Sequence, residues 1–114
     1  MKLIDIGTLS PVSMQAHNQA FSRRVWGPEN GSKNMAIGYN FLFAQGWAEE
    51  HSHESEHVFI ILEGSCDFKV NNILYNLNTG QALVIEPGEP HQILGNGRED
   101  CTYLTVTSPP AWKN

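Results

Sequence analysis

The sequence predicts an all-β domain, a sandwich or a barrel. Three observations carry this. Apolar and other residues alternate with period two from residue 35 onward. Short apolar runs recur between turn formers at roughly 8–12-residue spacing. No helical stripe of useful length is present: the best candidate, residues 14–21, carries polar residues on every side.

Taken in order, residues 27–34 (Gly-Pro-Glu-Asn-Gly-Ser-Lys-Asn) form a loop. Residues 35–44 follow as a strand. Met35, Ile37, Tyr39, Phe41 and Phe43 fall on one face, and Ala36, Gly38, Asn40, Leu42 and Ala44 on the other. Gln45-Gly46 is expected to turn the chain. Residues 58–62 are continuously apolar and rich in β-branched side chains, as in a strand covered on both faces. Glu63-Gly64 is expected to end that strand, and residues 66–70 alternate again. Asn71-Asn72 suits a tight hairpin because asparagine tolerates positive φ. Strands are expected at 73–77, 82–85 and 91–94, separated by Asn78-Thr79-Gly80 and Pro87-Gly88. Gly95-Asn96-Gly97 is a loop and not a phosphate cradle, since no helix follows it. Residues 101–107 form the last strand. Ser108-Pro109-Pro110 cannot extend a sheet from its interior.

The 114 residues suit one domain, with an N-terminal strand or arm over about 1–34. No run approaches the ~18 apolar residues of a membrane span, so no membrane partner is expected. Residues 1–5 are too short and polar for a secretory signal, which makes the cytoplasm the expected compartment. A net charge of −5 argues against a nucleic-acid partner. Cys66 and Cys101 are too few for a disulfide framework and read as buried thiols.

Four of the five histidines fall in two clusters. The first is His51-Ser52-His53-Glu54-Ser55-Glu56-His57, and the second is His91 behind Pro87-Gly88-Glu89-Pro90. Neutral imidazole is a general ligand for transition metals. In an extended segment His51 and His53 point to one side, so both can reach one ion. His57 and His91 can complete its shell if the fold brings them close. A solvated loop rich in His and Glu is the ordinary alternative. His17 stands alone and reads as a surface or loop residue.

Residues 46–64, with His-x-His and a closing glycine, resemble the first motif of the cupin family. Residues 80–96, from Gly80 through Pro87-Gly88 and His91, resemble the second. The resemblance implies a single domain over 1–114 with the double-stranded β-helix, or jelly-roll barrel, of the conserved-barrel cupins. His57 occupies the position where most cupins carry a glutamate ligand. Glu56 is its neighbour, so a one-residue shift would restore the usual residue. The first glycine is one residue nearer to His51 than usual, and Glu86 replaces a proline. The match is to small cupins with a four-histidine site, including manganese-binding bacterial members. It implies one divalent metal on His51, His53, His57 and His91, with Mn or Fe favoured over Zn or Ni.

Four neutral ligands would leave the ion's charge uncompensated, which favours an anionic or enolisable oxygen. In a six-coordinate geometry two positions stay open, whereas a tetrahedral zinc held by all four would be closed and structural. Parity places Phe59 and Ile61 with His57, and Ile93 with His91. Tyr39, Phe41 and Phe43 are expected to line the same apolar cavity. Tyr103 and Thr105 either join it or face solvent. Glu56 and Tyr103 are the acid–base candidates. The expected function is a metal-dependent enzyme on a small organic molecule, with oxidase- or oxygenase-like chemistry favoured. The alternatives are a non-redox isomerase, lyase or cyclase, or a binding module without turnover. The resemblance also implies a homodimer, for which Leu3, Ile4 and Ile6 could add a strand to a neighbour's sheet edge.

Overall fold

The computed structural model describes residues 1–110. Eight strands run in chain order: β1 (Val12–Ser13), β2 (His17–Trp26), β3 (Ala36–Ala48), β4 (Glu56–Val70), β5 (Ile73–Asn78), β6 (Ala82–Ile85), β7 (His91–Leu94) and β8 (Cys101–Ser108). Two single-turn 3-10 segments, Ile6–Thr8 and Pro28–Asn30, are the only helical elements among the described residues. No described helix is long and apolar enough to cross a membrane.

All pairings are antiparallel. β3 and β4 are joined twice, once through β8 and once through β7, and this double connection closes the barrel. β4 makes it possible by changing partners along its length. Residues 56–64 pair with β8, and residues 65–70 pair with β5. The change falls at a bulge between Ile61 and Glu63. Gly64 follows with φ +79°, and a β-carbon there would lie 1.9 Å from the Asp100 carbonyl oxygen. Glu63-Gly64 therefore bends one long strand instead of ending it, because a bulge keeps the ladder while turning it.

The expected Gln45-Gly46 turn is also strand. β3 runs on to Ala48, and β2 bulges against it between Asn18 and Ala20. At Gly46 a β-carbon would meet the Gln19 and Asn18 carbonyl oxygens at 2.7 and 2.9 Å. The glycine marks a close backbone approach. β2 itself, which contains most of the weak helical candidate, was not legible as a strand. Its bulge and the positive φ of Gln19 break its alternation. The Asn71-Asn72 hairpin forms as expected, with φ of 50° and 67°.

The two faces of β3 are reversed relative to expectation. Ala36, Gly38, Asn40 and Leu42 point inward and are buried. Tyr39, Phe41 and Phe43 lie on the outer face, with Phe43 39% exposed. The interior rungs follow from register. Ala36, Thr107, His57 and Ile85 align across β3, β8, β4 and β6. Gly38, Thr105, Phe59 and Leu83 form the next rung, and Asn40, Tyr103 and Ile61 the one after. Below them, Leu42, Cys66, Phe68, Leu77 and Cys101 fill the closed end. Cys66 and Cys101 are buried free thiols.

Candidate metal centre

The histidines converge by backbone pairing as well as by strand parity. His51 and His91 exchange both backbone hydrogen bonds, at 3.0 and 2.9 Å, as an isolated bridge. This pins the first histidine segment to the start of β7. Their ring centroids lie 4.4 Å apart, and those of His53 and His91 5.1 Å apart. One ligand nitrogen from each of His51, His53 and His91 falls within 4.8 Å of the others. His57, on β4, stands beside this triad but outside it, with its centroid 4.3 Å from His53 and 5.6 Å from His91. The structure thus assembles three donors and not four, since the His57 ring packs edge-on against His53 and Phe59.

The donor set suits a transition metal. The Nδ1 atoms of His51 and His91 each lie 2.9 Å from a carbonyl oxygen two residues back, Glu49 and Glu89. These contacts fix the tautomer and leave Nε2 as the lone-pair atom. His91 Nε2, both nitrogens of His53 and Nδ1 of His57 are buried without a hydrogen-bond partner. Buried polar atoms are ordinarily satisfied, so orphaned imidazole nitrogens gathered at one place fit a metal-binding role. Burial is also the leading reason that His53, His57 and His91 are held below the ordinary histidine pKa. For His57, burial and then the neighbouring His53, His91 and His51 push the value to about 3. At neutral pH these rings are neutral and able to coordinate.

The sign of the resulting pH dependence is fixed. The unfolded chain protonates His57 near 6.5, and the native chain does not until about 3. As pH falls through that window the unfolded state binds the extra proton, so stability drops, then levels off below 3. The metal-free protein is expected to lose on the order of 4 kcal/mol from this group between pH 6.5 and 3. Urea unfolding at a series of pH values checks it; His57→Ala should flatten the slope.

The triad lies on the wall of a cavity of about 810 Å³, within the usual range for small-molecule sites. Phe59, Ile93, Tyr103 and Thr105 line it, as do the four histidines. Ile61 is buried in the core and does not line it. Nor do Tyr39, Phe41 and Phe43, which face outward, or Glu56, which is exposed on the opposite side of β4 from His57. Burial pushes the Tyr103 hydroxyl well above its ordinary pKa, with Cys66 and Cys101 adding to the effect. It can donate a hydrogen bond but is a poor proton acceptor.

Several lining residues were missed. His17 is not an isolated loop residue. It opens β2 at the cavity wall, its centroid 6.5 Å from His51 and its Nδ1 2.7 Å from the Gln15 carbonyl oxygen. Ser22, Arg24, Asn40 and Thr107 make the wall far more polar than expected. Asn40 and Thr107 could have been found by reversing the parity of their strands. Ser22 and Arg24 left no signal, because β2 was not recognised.

A barrel with a histidine cluster inside its mouth defines a class, and the sequence comparison agrees. The family profile described as Cupin domain matches residues 41–107, more than half of the chain. The protein belongs to the cupin family. An uncharacterized protein of Archaeoglobus fulgidus is 31% identical over 51 residues, which span 45% of this chain and 48% of that relative. The match thus covers about half of its length. Among solved structures, the polyketide cyclase RemF of Streptomyces resistomycificus superposes with a TM-score of 0.85 at 22% identity, over 100% of this chain and 87% of its own. A predicted oxalate decarboxylase of Thermotoga maritima superposes with a TM-score of 0.83 at 19% identity, over 94% and 98%. At these identities the likeness shows the shared fold.

Proposed function

We propose that this cupin is a metal-dependent enzyme acting on a small organic molecule. The observation that carries the reading is the set of orphaned, neutral imidazole nitrogens on the wall of a cavity. His51, His53 and His91 would hold the ion, with His57 as a fourth ligand after a modest rotation of its ring. Thr107 supports that fourth role. It stands opposite His57 in the β4–β8 register, and its Oγ1 is buried without a partner. It could accept a hydrogen bond from the Nδ1–H of a coordinating His57 and hold the ring in place.

When bound, a divalent ion on neutral ligands polarises a substrate oxygen and, if it is Mn or Fe, exchanges electrons. The protein's own groups favour the oxidative branch. Among the described residues no carboxylate lines the cavity, and Tyr103 holds its proton tightly. An isomerase or lyase would need a base that this wall supplies only as imidazole. Phe59 and Ile93 make one part of the cavity wall apolar. A second reading, non-redox polarisation, is favoured by the position of His57 outside the triad, where its neutral ring can accept a hydrogen bond from the substrate.

Protein reconstituted separately with Mn, Fe and Zn, and screened against small hydroxy and keto acids in an oxygen electrode, separates these. Oxygen uptake with Mn or Fe and none with Zn is the expected result. Product formed equally well with Zn would overturn the oxidative reading. Binding without product under every metal would leave a sensing module.

We also propose that the partner is a second copy of this chain, docked through the outer sheet face. Phe21, Tyr39, Phe41, Ile37, Leu104, Val106, Val58, Ile60 and Val84 align there across β2, β3, β8, β4 and β6. The five strands span roughly 19 Å, wide enough for two sheets to pack face to face. Val84 is 53% and Leu62 40% exposed, apolar surface that a second copy would cover. The N-terminal arm is a weaker candidate. Leu3 is 94% exposed, and residues 1–5 form no strand. Light scattering after size exclusion is expected to give twice the chain mass for the wild type and one chain mass for Phe41→Glu. A dimer that persists in Phe41→Glu and dissociates on deleting residues 1–8 would return the interface to the arm.

A further inference from the structure

A second polar pole stands on the same cavity wall, away from the imidazoles, and its centre is Gly38. Register places Arg24, Gly38, Thr105 and Phe59 on one rung, and Ser22, Asn40, Tyr103 and Ile61 on the next. Because Gly38 has no side chain, three oxygens close over its Cα. A β-carbon there would lie 2.8 Å from Asn40 Oδ1, 3.0 Å from Thr105 Oγ1 and 3.1 Å from Ser22 Oγ. All three residues line the cavity and are more than nine-tenths buried.

The hydrogen bonding of this cluster is incomplete in a specific way. Asn40 Nδ2 donates to Thr105 Oγ1 at 3.1 Å, which leaves the Thr105 hydroxyl proton to be given elsewhere. Asn40 Oδ1 is buried and has no partner. The pole therefore offers an unmet acceptor beside hydroxyl donors. An anion only accepts and would leave Asn40 Oδ1 orphaned. An ammonium only donates and would leave the hydroxyl protons unused. A hydroxyl group does both. Arg24 is the one permanent charge on the described wall, and its guanidinium lies 3.7 Å from the Glu29 carboxylate, so the pole is close to neutral.

We infer that the Ser22–Asn40–Thr105 pole binds a hydroxyl group of the substrate whose other oxygen is anchored at the histidines. The substrate class is then a small hydroxylated carbonyl compound, with a hydroxy acid as the simplest member. This rests on the metal-anchoring reading above. Along β4 and β8 the Thr105 rung lies two residues from the His57 rung and the Asn40 rung four, about 7 and 13 Å. Side chains project into that span from both ends, so skeletons of roughly three to six carbons are the ones to test.

The test is calorimetric binding of ω-hydroxy acids of three to six carbons, each paired with its unsubstituted acid, to the metal-loaded protein. At least one hydroxy acid is expected to bind tenfold or more tightly than its partner. Asn40→Leu and Thr105→Val should reduce that preference to about one while leaving metal content and the Kd of the unsubstituted acid unchanged. Gly38→Ala, which fills the cradle and removes no polar group, should do the same; its circular dichroism verifies folding. Unsubstituted acids that bind with no gain from the hydroxyl at any length would overturn this inference alone, as would a preference surviving in all three variants. If neither member of any pair binds the loaded protein, the metal-anchoring reading falls and this inference with it.

Discussion

Replacing His91 with alanine is expected to weaken metal binding at least ~100-fold and to abolish any metal-dependent turnover. Of the three donors His91 is the one already built as a ligand. It is 1% exposed, its Nδ1 is fixed on the Glu89 carbonyl oxygen, and its Nε2 has no partner. Its backbone bridge to His51 involves no side chain, so the substitution should leave the two segments paired. Elemental analysis of protein purified without chelators, followed by metal titration against a competing chelator, measures the loss. His57→Ala is the informative comparison. If His57 joins the triad on metal binding, its loss should approach that of His91. If it stays outside, metal content should hold near one equivalent. Full metal content in His91→Ala would mean that the cluster is not the binding site.

The second large effect is expected far from the histidines. Gly64→Ala should destabilise the fold by roughly 3–5 kcal/mol, a substantial share of the 5–15 kcal/mol typical of a domain. Two terms combine. A residue with a β-carbon at φ +79° costs about 1–2 kcal/mol. That carbon would also lie 1.9 Å from the Asp100 carbonyl oxygen, a contact relieved only by moving backbone. Asp100 is not free to shift, because its carboxylate accepts the Ala44 N–H at 2.9 Å. Gly80→Ala serves as the control. Its φ is +87° but nothing lies within 4 Å of the added carbon, so only the conformational term applies. Urea unfolding is expected to rank wild type above Gly80→Ala and Gly80→Ala well above Gly64→Ala. Equal losses in the two variants would remove the steric part of the argument.

Local sequence carried the strands from residue 35 onward, the Asn71-Asn72 hairpin and the histidine spacing. These depend on neighbours a few residues apart, and alternation or turn chemistry displays them directly. The cupin motifs added the barrel. What local pattern could not carry was which face of each strand points inward. On β3 the bulky side, Tyr39, Phe41 and Phe43, looked like the interior by hydrophobicity. A barrel holding an open cavity needs small and polar residues there, so Ala36, Gly38 and Asn40 point in and the aromatics point out. The same rule separates Glu56 from His57, adjacent in sequence and on opposite faces of β4. Strand bulges were equally hidden, since Gly64 and Gly46 resemble turns until the approaching backbone is seen. The sequence alone determined that these histidines stand at metal-ligand spacing within an all-β domain. Only the tertiary structure decided that three of them meet with His57 beside them, and that His17, Ser22 and Asn40 share their cavity. Register between strands distant in sequence sets those contacts, and it is fixed by how the whole barrel closes.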